Sequence, residues 1–375
     1  MISPPRPGRQ DGVGDYSYWL ALSLSEQLEV TLVNEGEESG SSAGEGMAAG
    51  RKIIFCSVGG WRELWRRRSE PALSGEAVLF QYVPQLYFPR ADLLWLLLWL
   101  ARGRFRRSKI FVTVHEYNVP WKFAARRAAV HISLNLLAVV LALLSTRVIV
   151  THETYRRKLS RLLFFKRNGI NLIPVSTNIP DENRAQDGLV EGAARRAAPV
   201  LTLFGQPSAM EKELLSFLGQ RISSGQVDLR VRWLGRSREE IVNFWCGECG
   251  LPAGSVEVYE KLPDAEVGRV LSESDVFLAP LVDGVSTRRT TVVAALSRGL
   301  PVVGTRGACT DDSLARSPAF LLCETWDKAA FLRHIQLLCV DSARRAEMGR
   351  EARTLFMDRF SWEKVSREYL RLLQS

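Results

Sequence analysis

Between residues 283 and 291 the sequence reads DGVSTRRTT, which sets one carboxylate, four hydroxyls and two adjacent guanidiniums ahead of the runs VVAALSRG and LPVVGT. Read as a loop, a small-residue helix and a buried strand, with Gly299 and Pro301 making the second turn, this stretch gathers Ser286, Thr287, Arg288, Arg289 and Thr290 around one helix N-terminus. Hydroxyl donors, free backbone N–H groups and two cations at one point suit a phosphate or pyrophosphate. Charge-assisted, bidentate arginine contacts would add to the helix dipole there. The plainer alternative is a capped helix with solvated arginines, since exposed arginine pairs contribute little.

Three further stretches hold residues of the right type. In RQDGVGDYSYWLA, residues 9–21, Gly12 and Gly14 remove side chains where a backbone turns towards a ligand, and the next helix aims its N–H groups at that space. In FVTVHEYNVPW, residues 111–121, a strand ends in His115 and Glu116. An imidazole at the carboxyl edge of a sheet can donate to or accept from a substrate hydroxyl; the alternative is a histidine capping the next helix. In LTLFGQPSAMEKELL, residues 201–215, Gly205 follows a strand and Lys212 offers another cation, although lysines at a helix start are common. Cys246 and Cys249 in WCGECG lack a second pair at zinc-ligand spacing and read as small residues closing a helix before Gly250. Asp311 and Asp312 are adjacent, so their side chains diverge, and they are not counted as a metal pair.

The elements that must position these residues alternate. The short apolar runs KIIFCSV, AVLFQYV, KIFVTVHE, TRVIVTH and INLIPVS are separated by helical patterns, as in a parallel sheet covered on both faces. EVTLVN at 29–34 reads as an earlier strand, and only MIS precedes PPRP, so either the true start lies upstream or the first strand is vestigial. Residues 35–50, acidic and rich in glycine and serine, read as a mobile loop. After the polar stretch 181–199 the alternation restarts with PVLTLFG, LRVRWLG, SVEVYEK, DVFLAPL, LPVVGT and FLLCE. The 375 residues exceed what one core holds, so the pattern predicts an α/β protein of two doubly wound, Rossmann-like domains facing a cleft. The expected spans are 1–180, a linker at 181–199, 200–358, and a closing helix at 359–375.

Charge and hydropathy narrow the partners. Residues 1–180 hold about 24 Lys/Arg against about 14 Asp/Glu, so most of the formal +9 lies there. No zinc-finger spacing, RNP-type sequence or heptad-backed basic region points to nucleic acid. LLWLLLWLA at 93–101 and ISLNLLAVVLALL at 132–144 fall short of a bilayer span. The first residues lack a signal-peptide layout, and six cysteines agree with a reducing compartment, so a cytosolic location is expected.

DGVGDYSYWLALSL, QYVP, VTVHE, IPVSTNI, VFLAPL, ALSRGLPVVGT and FSWEKVSREYL together resemble the nucleotide-sugar glycosyltransferases of the GT-B fold, in particular the family-4 group of bacterial enzymes that build polysaccharides and glycolipids. The resemblance runs over nearly the whole chain. It implies transfer from a nucleoside-diphosphate sugar to a glycan, lipid-linked or small-molecule acceptor, with retention, no metal and no other cofactor. It places His115 near the transferred sugar, with Tyr82 and Glu116 on the acceptor side. Gly12, Gly14, Gly205, Lys212 and the loop Ser286 to Thr290 fall at the donor diphosphate.

The family's paired glutamates are replaced here by Ser286 and Ala294, so the chain resembles a subgroup with serine and paired arginines. Their loss leaves a second reading, a degenerate GT-B protein that binds nucleotide sugar or glycan as a scaffold or regulatory partner. GRFRRSK at 103–109, behind the Leu/Trp-rich helix, adds an expected peripheral contact with anionic membrane at the inner face of the plasma membrane. A buried helix followed by a solvated basic loop is the alternative there.

Overall fold

The computed structural model describes residues 1–3, 12–35, 44–48, 51–84, 92–116, 125–180, 198–205, 208–235 and 237–375. The chain divides into two compact units, Met1–Pro174 with Trp362–Ser375, and Val175–Ser361. Residues 175–180, placed with the first domain by the sequence pattern, group with the second. The reason is local: Val175 N–H donates to Thr287 O (3.2 Å), and Arg298 donates to Pro180 O. The linker expected at 181–199 lies mostly outside the described residues.

Unit 1 runs β1 (Ile2–Ser3), α1 (Gly12–Leu24), β2 (Val30–Glu35), β3 (Gly44–Ala48), β4 (Arg51–Val58), α2 (Trp61–Arg66), β5 (Ala77–Tyr82), α3 (Leu93–Phe105), β6 (Lys109–Val114), α4 (Ala125–Leu144), β7 (Arg147–Val150), α5 (Glu153–Leu162) and β8 (Ile170–Leu172). Its sheet has the order β3-β4-β2-β1-β5-β6-β7-β8. The first strand is only two residues long, yet it pairs in parallel with both β2 and β5 in the interior of the sheet. The loop expected at 35–50 is corrected at 44–48, where β3 runs antiparallel to β4 as an edge strand. Near-continuous apolar strands such as KIFVTV are buried on both sides, and α3 sinks Leu96, Trp99 and Leu100 into the same core.

Unit 2 runs β9 (Val200–Phe204), α6 (Ala209–Ser223), β10 (Arg230–Gly235), α7 (Arg238–Val242), β11 (Val256–Glu260), α8 (Asp264–Ser272), β12 (Val276–Ala279), α9 (Thr290–Ser297), β13 (Val302–Arg306), α10 (Asp312–Ala315), β14 (Phe320–Glu324), α11 (Lys328–Val340) and α12 (Ser342–Arg359). The order β11-β10-β9-β12-β13-β14, parallel throughout, is that of a doubly wound sheet whose direction of winding reverses between β9 and β12. The last helix, α13 (Trp362–Gln374), returns to unit 1 and packs on α1. Cys246 and Cys249 sit in and just after a π-helical turn, Asn243–Glu248, closed by Gly250 in the left-handed region, and both are free thiols. Among the described residues no helix is long and apolar enough to cross a membrane.

Candidate active site

Loops that follow β9 and β12 leave the carboxyl ends of the two strands flanking the reversal, the place where open parallel sheets bind ligands. The loop after β12 folds tightly. Gly284, at φ 82°, stands where a Cβ would lie 2.1 Å from Thr310 Oγ1 and 2.4 Å from Gly307 N, so only glycine fits. Gly307 meets the same constraint from the other side, with Asp283 C 2.6 Å from its missing Cβ. Cys309 N–H donates to Asp283 O (2.8 Å), Val285 N–H to Thr305 O (3.1 Å), and Thr287 N–H to the buried carboxylate of Asp311 (2.7 Å). The segment 305–311 thus braces 283–287, and Asp311 has a structural task that the sequence did not show.

The braced loop carries Arg288 and Arg289 up to the first turn of α9. Each guanidinium pairs with a different oxygen of Asp283: Arg288 with Oδ2 and Arg289 with Oδ1 at 2.5 Å. Burial alone would push the Asp283 carboxyl up, but Arg289 and Arg288 outweigh it and hold it below the usual carboxylate range. Two cations and one anion leave a net positive charge beside a helix N-terminus capped by no side chain. Arg289 Nε is buried without a hydrogen-bond partner, and so is Ser286 Oγ, at 1% exposure. Thr287 is buried to the same degree, while Thr290 is half-buried at the helix start.

On the β9 side, Gly205 takes a left-handed φ of 117° and accepts from Trp233 Nε1 (2.7 Å). Residues 206 and 207 lie outside the described residues. α6 then starts on a capping box of Ser208 and Glu211, and Glu211 also accepts from Val282 N–H (3.2 Å), joining this helix start to the β12 loop. Lys212 Nζ lies 5.9 Å from the centre of the Phe244 ring, a cation–π arrangement.

In unit 1, His115 extends β6 at the carboxyl edge and is 7% exposed. Its Nε2 hydrogen-bonds Gln81 Oε1 (2.7 Å), the edge of the ring meets Tyr16 (5.0 Å between centroids), and burial lowers its pKa to about 3. The imidazole is therefore neutral near pH 7. Tyr369 of α13 joins the cluster, bonding Tyr16 (3.3 Å) and Thr113 (3.2 Å) through its hydroxyl. Gln81 and Thr113 are register partners on adjacent strands, and His115 is two residues beyond Thr113, so all three share one face. Two polar residues in otherwise apolar parallel strands were the available sequence signal for this cluster. Tyr82 is buried at 1% exposure in the core, and Glu116 is half-buried where the described segment ends. Gly12 opens α1 with nothing within 4 Å of its missing Cβ, and Gly14 is buried two residues on; residues 4–11 lie outside the described part.

Two doubly wound, largely parallel units of this kind make up the GT-B fold. The chain is similar over all its length to a glycosyltransferase from Rickettsia africae (13% identity, TM-score 0.68, 97% of that chain covered). It is likewise similar to the sucrose-phosphate synthase of Thermosynechococcus elongatus (16%, 0.64, 94%) and to HepE of Anabaena solved in complex with UDP (12%, 0.64, 99%), again over 100% of this chain. No protein-family model and no curated protein sequence matches it. At these identities the likeness is one of fold.

Proposed function

We propose that the protein is a glycosyltransferase that moves a sugar from a nucleoside-diphosphate sugar to a glycan, lipid-linked or small-molecule acceptor, with retention and without a metal. The observation that carries this reading is the pair Arg288 and Arg289, pinned by Asp283 at the N-terminus of α9 and at the reversal point of the second sheet. As the nucleoside diphosphate leaves the anomeric carbon, negative charge grows on the β-phosphate, and fixed cations beside a helix N-terminus stabilise it without reorganising. Lys212 adds to this field by its place in the first turn of α6. His115, neutral and held by Gln81, is suited to hydrogen-bond a sugar hydroxyl rather than to act as a cation. The basic charge of residues 1–180 supports a peripheral contact of unit 1 with anionic lipid at the cytoplasmic face.

Thermal-shift measurements with UDP first, then GDP, ADP, CMP and TDP and their sugar conjugates, each with and without EDTA, test the donor site. Stabilisation by one diphosphate that survives EDTA is expected; no shift with any of them would discard the reading. One observation favours a binding protein without transfer. Ser286 and Ala294, which stand at the positions of the family's glutamates, are 1% and 0% exposed. Donor binding with hydrolysis alone, and no transfer to any acceptor preparation, would decide for that alternative.

A further inference from the structure

At the amino edge of the first sheet, three neighbouring helix-to-strand turns carry exposed apolar side chains among cations. These are 104–109 before β6, 143–147 before β7 and 163–169 before β8, and the three strands are consecutive in the sheet. Phe105 is 90% exposed, Phe164 78%, Leu143 60% and Phe165 51%. Scattered apolar side chains are ordinary on a protein surface, but four large ones on three adjacent turns form a patch. Exposed Leu94 and Leu98 on α3, and Ile132 and Leu136 on α4, continue it along the helices that lead to this edge.

The charge around the patch has one sign. RFRRSK, LLSTR and LFFKRNG contain no acidic residue. Arg104, Arg106 and Arg107 are exposed, and Arg107 keeps a left-handed backbone (φ 66°) that glycine would adopt more easily. Lys166 donates to Ala142 O (2.5 Å) and to Ser145 O, tying the third turn to the end of α4. Burial, then Arg104 and Arg147, lower its pKa to about 8, so cations from all three turns act on one another.

We propose that this amino edge is a docking surface for anionic lipid, in which Phe105, Leu143, Phe164 and Phe165 enter the interfacial layer while the arginines and lysines around them bind lipid phosphates. The aliphatic members decide the occupant. Aromatic rings and cations alone would also suit a single-stranded nucleic acid, but leucines and an isoleucine have no face on which bases stack, and they match acyl chains. The proposal rests on the membrane contact inferred above and gives it a location. His115 follows the far end of β6, about 20 Å from this edge for six residues of strand.

Sedimentation of the full chain with vesicles tests it, using phosphatidylcholine alone and phosphatidylcholine mixed with an equal part of phosphatidylglycerol. The wild-type chain is expected to sediment with the anionic vesicles and to be released as salt is raised. Phe164→Ser with Phe165→Ser should lower the bound fraction about tenfold. Trp326→Ser, which changes an exposed aromatic of the other unit, should leave it unchanged. A far-UV circular dichroism spectrum and a melting transition unchanged from wild type show that the double variant is folded. If the double variant binds as well as wild type, this surface is wrong and the membrane contact stands; if wild type stays in the supernatant, both fall. Retention on single-stranded RNA with no vesicle binding would overturn the lipid assignment.

Discussion

Asp283 gives one oxygen to each of two arginines, so both guanidiniums are oriented before any phosphate arrives. In the proposed donor site a diphosphate would meet cations whose rotamers are already restricted, which would lower the ordering cost of binding. Arg288→Ala or Arg289→Ala should weaken diphosphate binding by about 1.5 to 3 kcal/mol with the fold intact, read by titration calorimetry. Unchanged affinity in both variants would refute this assignment. His115 makes a pH prediction. Its pKa is about 3 in the fold against 6.5 for a free histidine, so between those values the unfolded chain binds more protons. Unit 1 should therefore lose stability as pH falls from 6.5 towards 3, by at most about 1.4 kcal/mol per pH unit. In His115→Gln this component should vanish; melting curves of the two proteins that fall in parallel between pH 7 and 5 would contradict it.

The loop of residues 281–289 is braced by a second loop, 305–311, through backbone and carboxylate hydrogen bonds. Gly284→Ala would set a methyl 2.1 Å from Thr310 Oγ1 at a positive φ, and should cost at least about 2 kcal/mol while abolishing diphosphate binding. Circular dichroism melts together with calorimetry separate the two effects. Much of this element was legible in the sequence, because glycine, proline and a small-residue helix before an apolar strand are local signals. The ion pairs of Asp283 were not, since contacts five and six residues apart across a loop have no periodicity. Likewise β1 is too short to show a period, and GEGMA has a composition that argues against a strand until β4 offers it a ladder. Gln81 bonds His115 from 34 residues away, through strand register that becomes known only once the sheet order is.

Each unit has its own apolar core, one centred on residues such as Phe80, Trp99 and Val112, the other on Leu215, Trp233 and Phe331. Tyr369 belongs to the first of these units although it stands near the end of the sequence. Tyr369→Phe removes the hydroxyl shared by Tyr16 and Thr113 and should cost about 1 kcal/mol, lowering the melting transition of unit 1 by about 2 to 4 °C. A drop confined to unit 2 by hydrogen exchange would show that α13 serves the other core. That helix also sets a schedule for synthesis. The ribosome makes all of Val175–Ser361 before Trp362–Ser375, so at about 5 to 20 residues per second unit 1 waits on the order of 10 to 40 s for its last helix. During that interval the half of the protein begun first is unfinished, with the faces of Tyr16 and Thr113 uncovered. The half begun second is the first that can close, and a chaperone acting on the nascent chain would find its client at the older end.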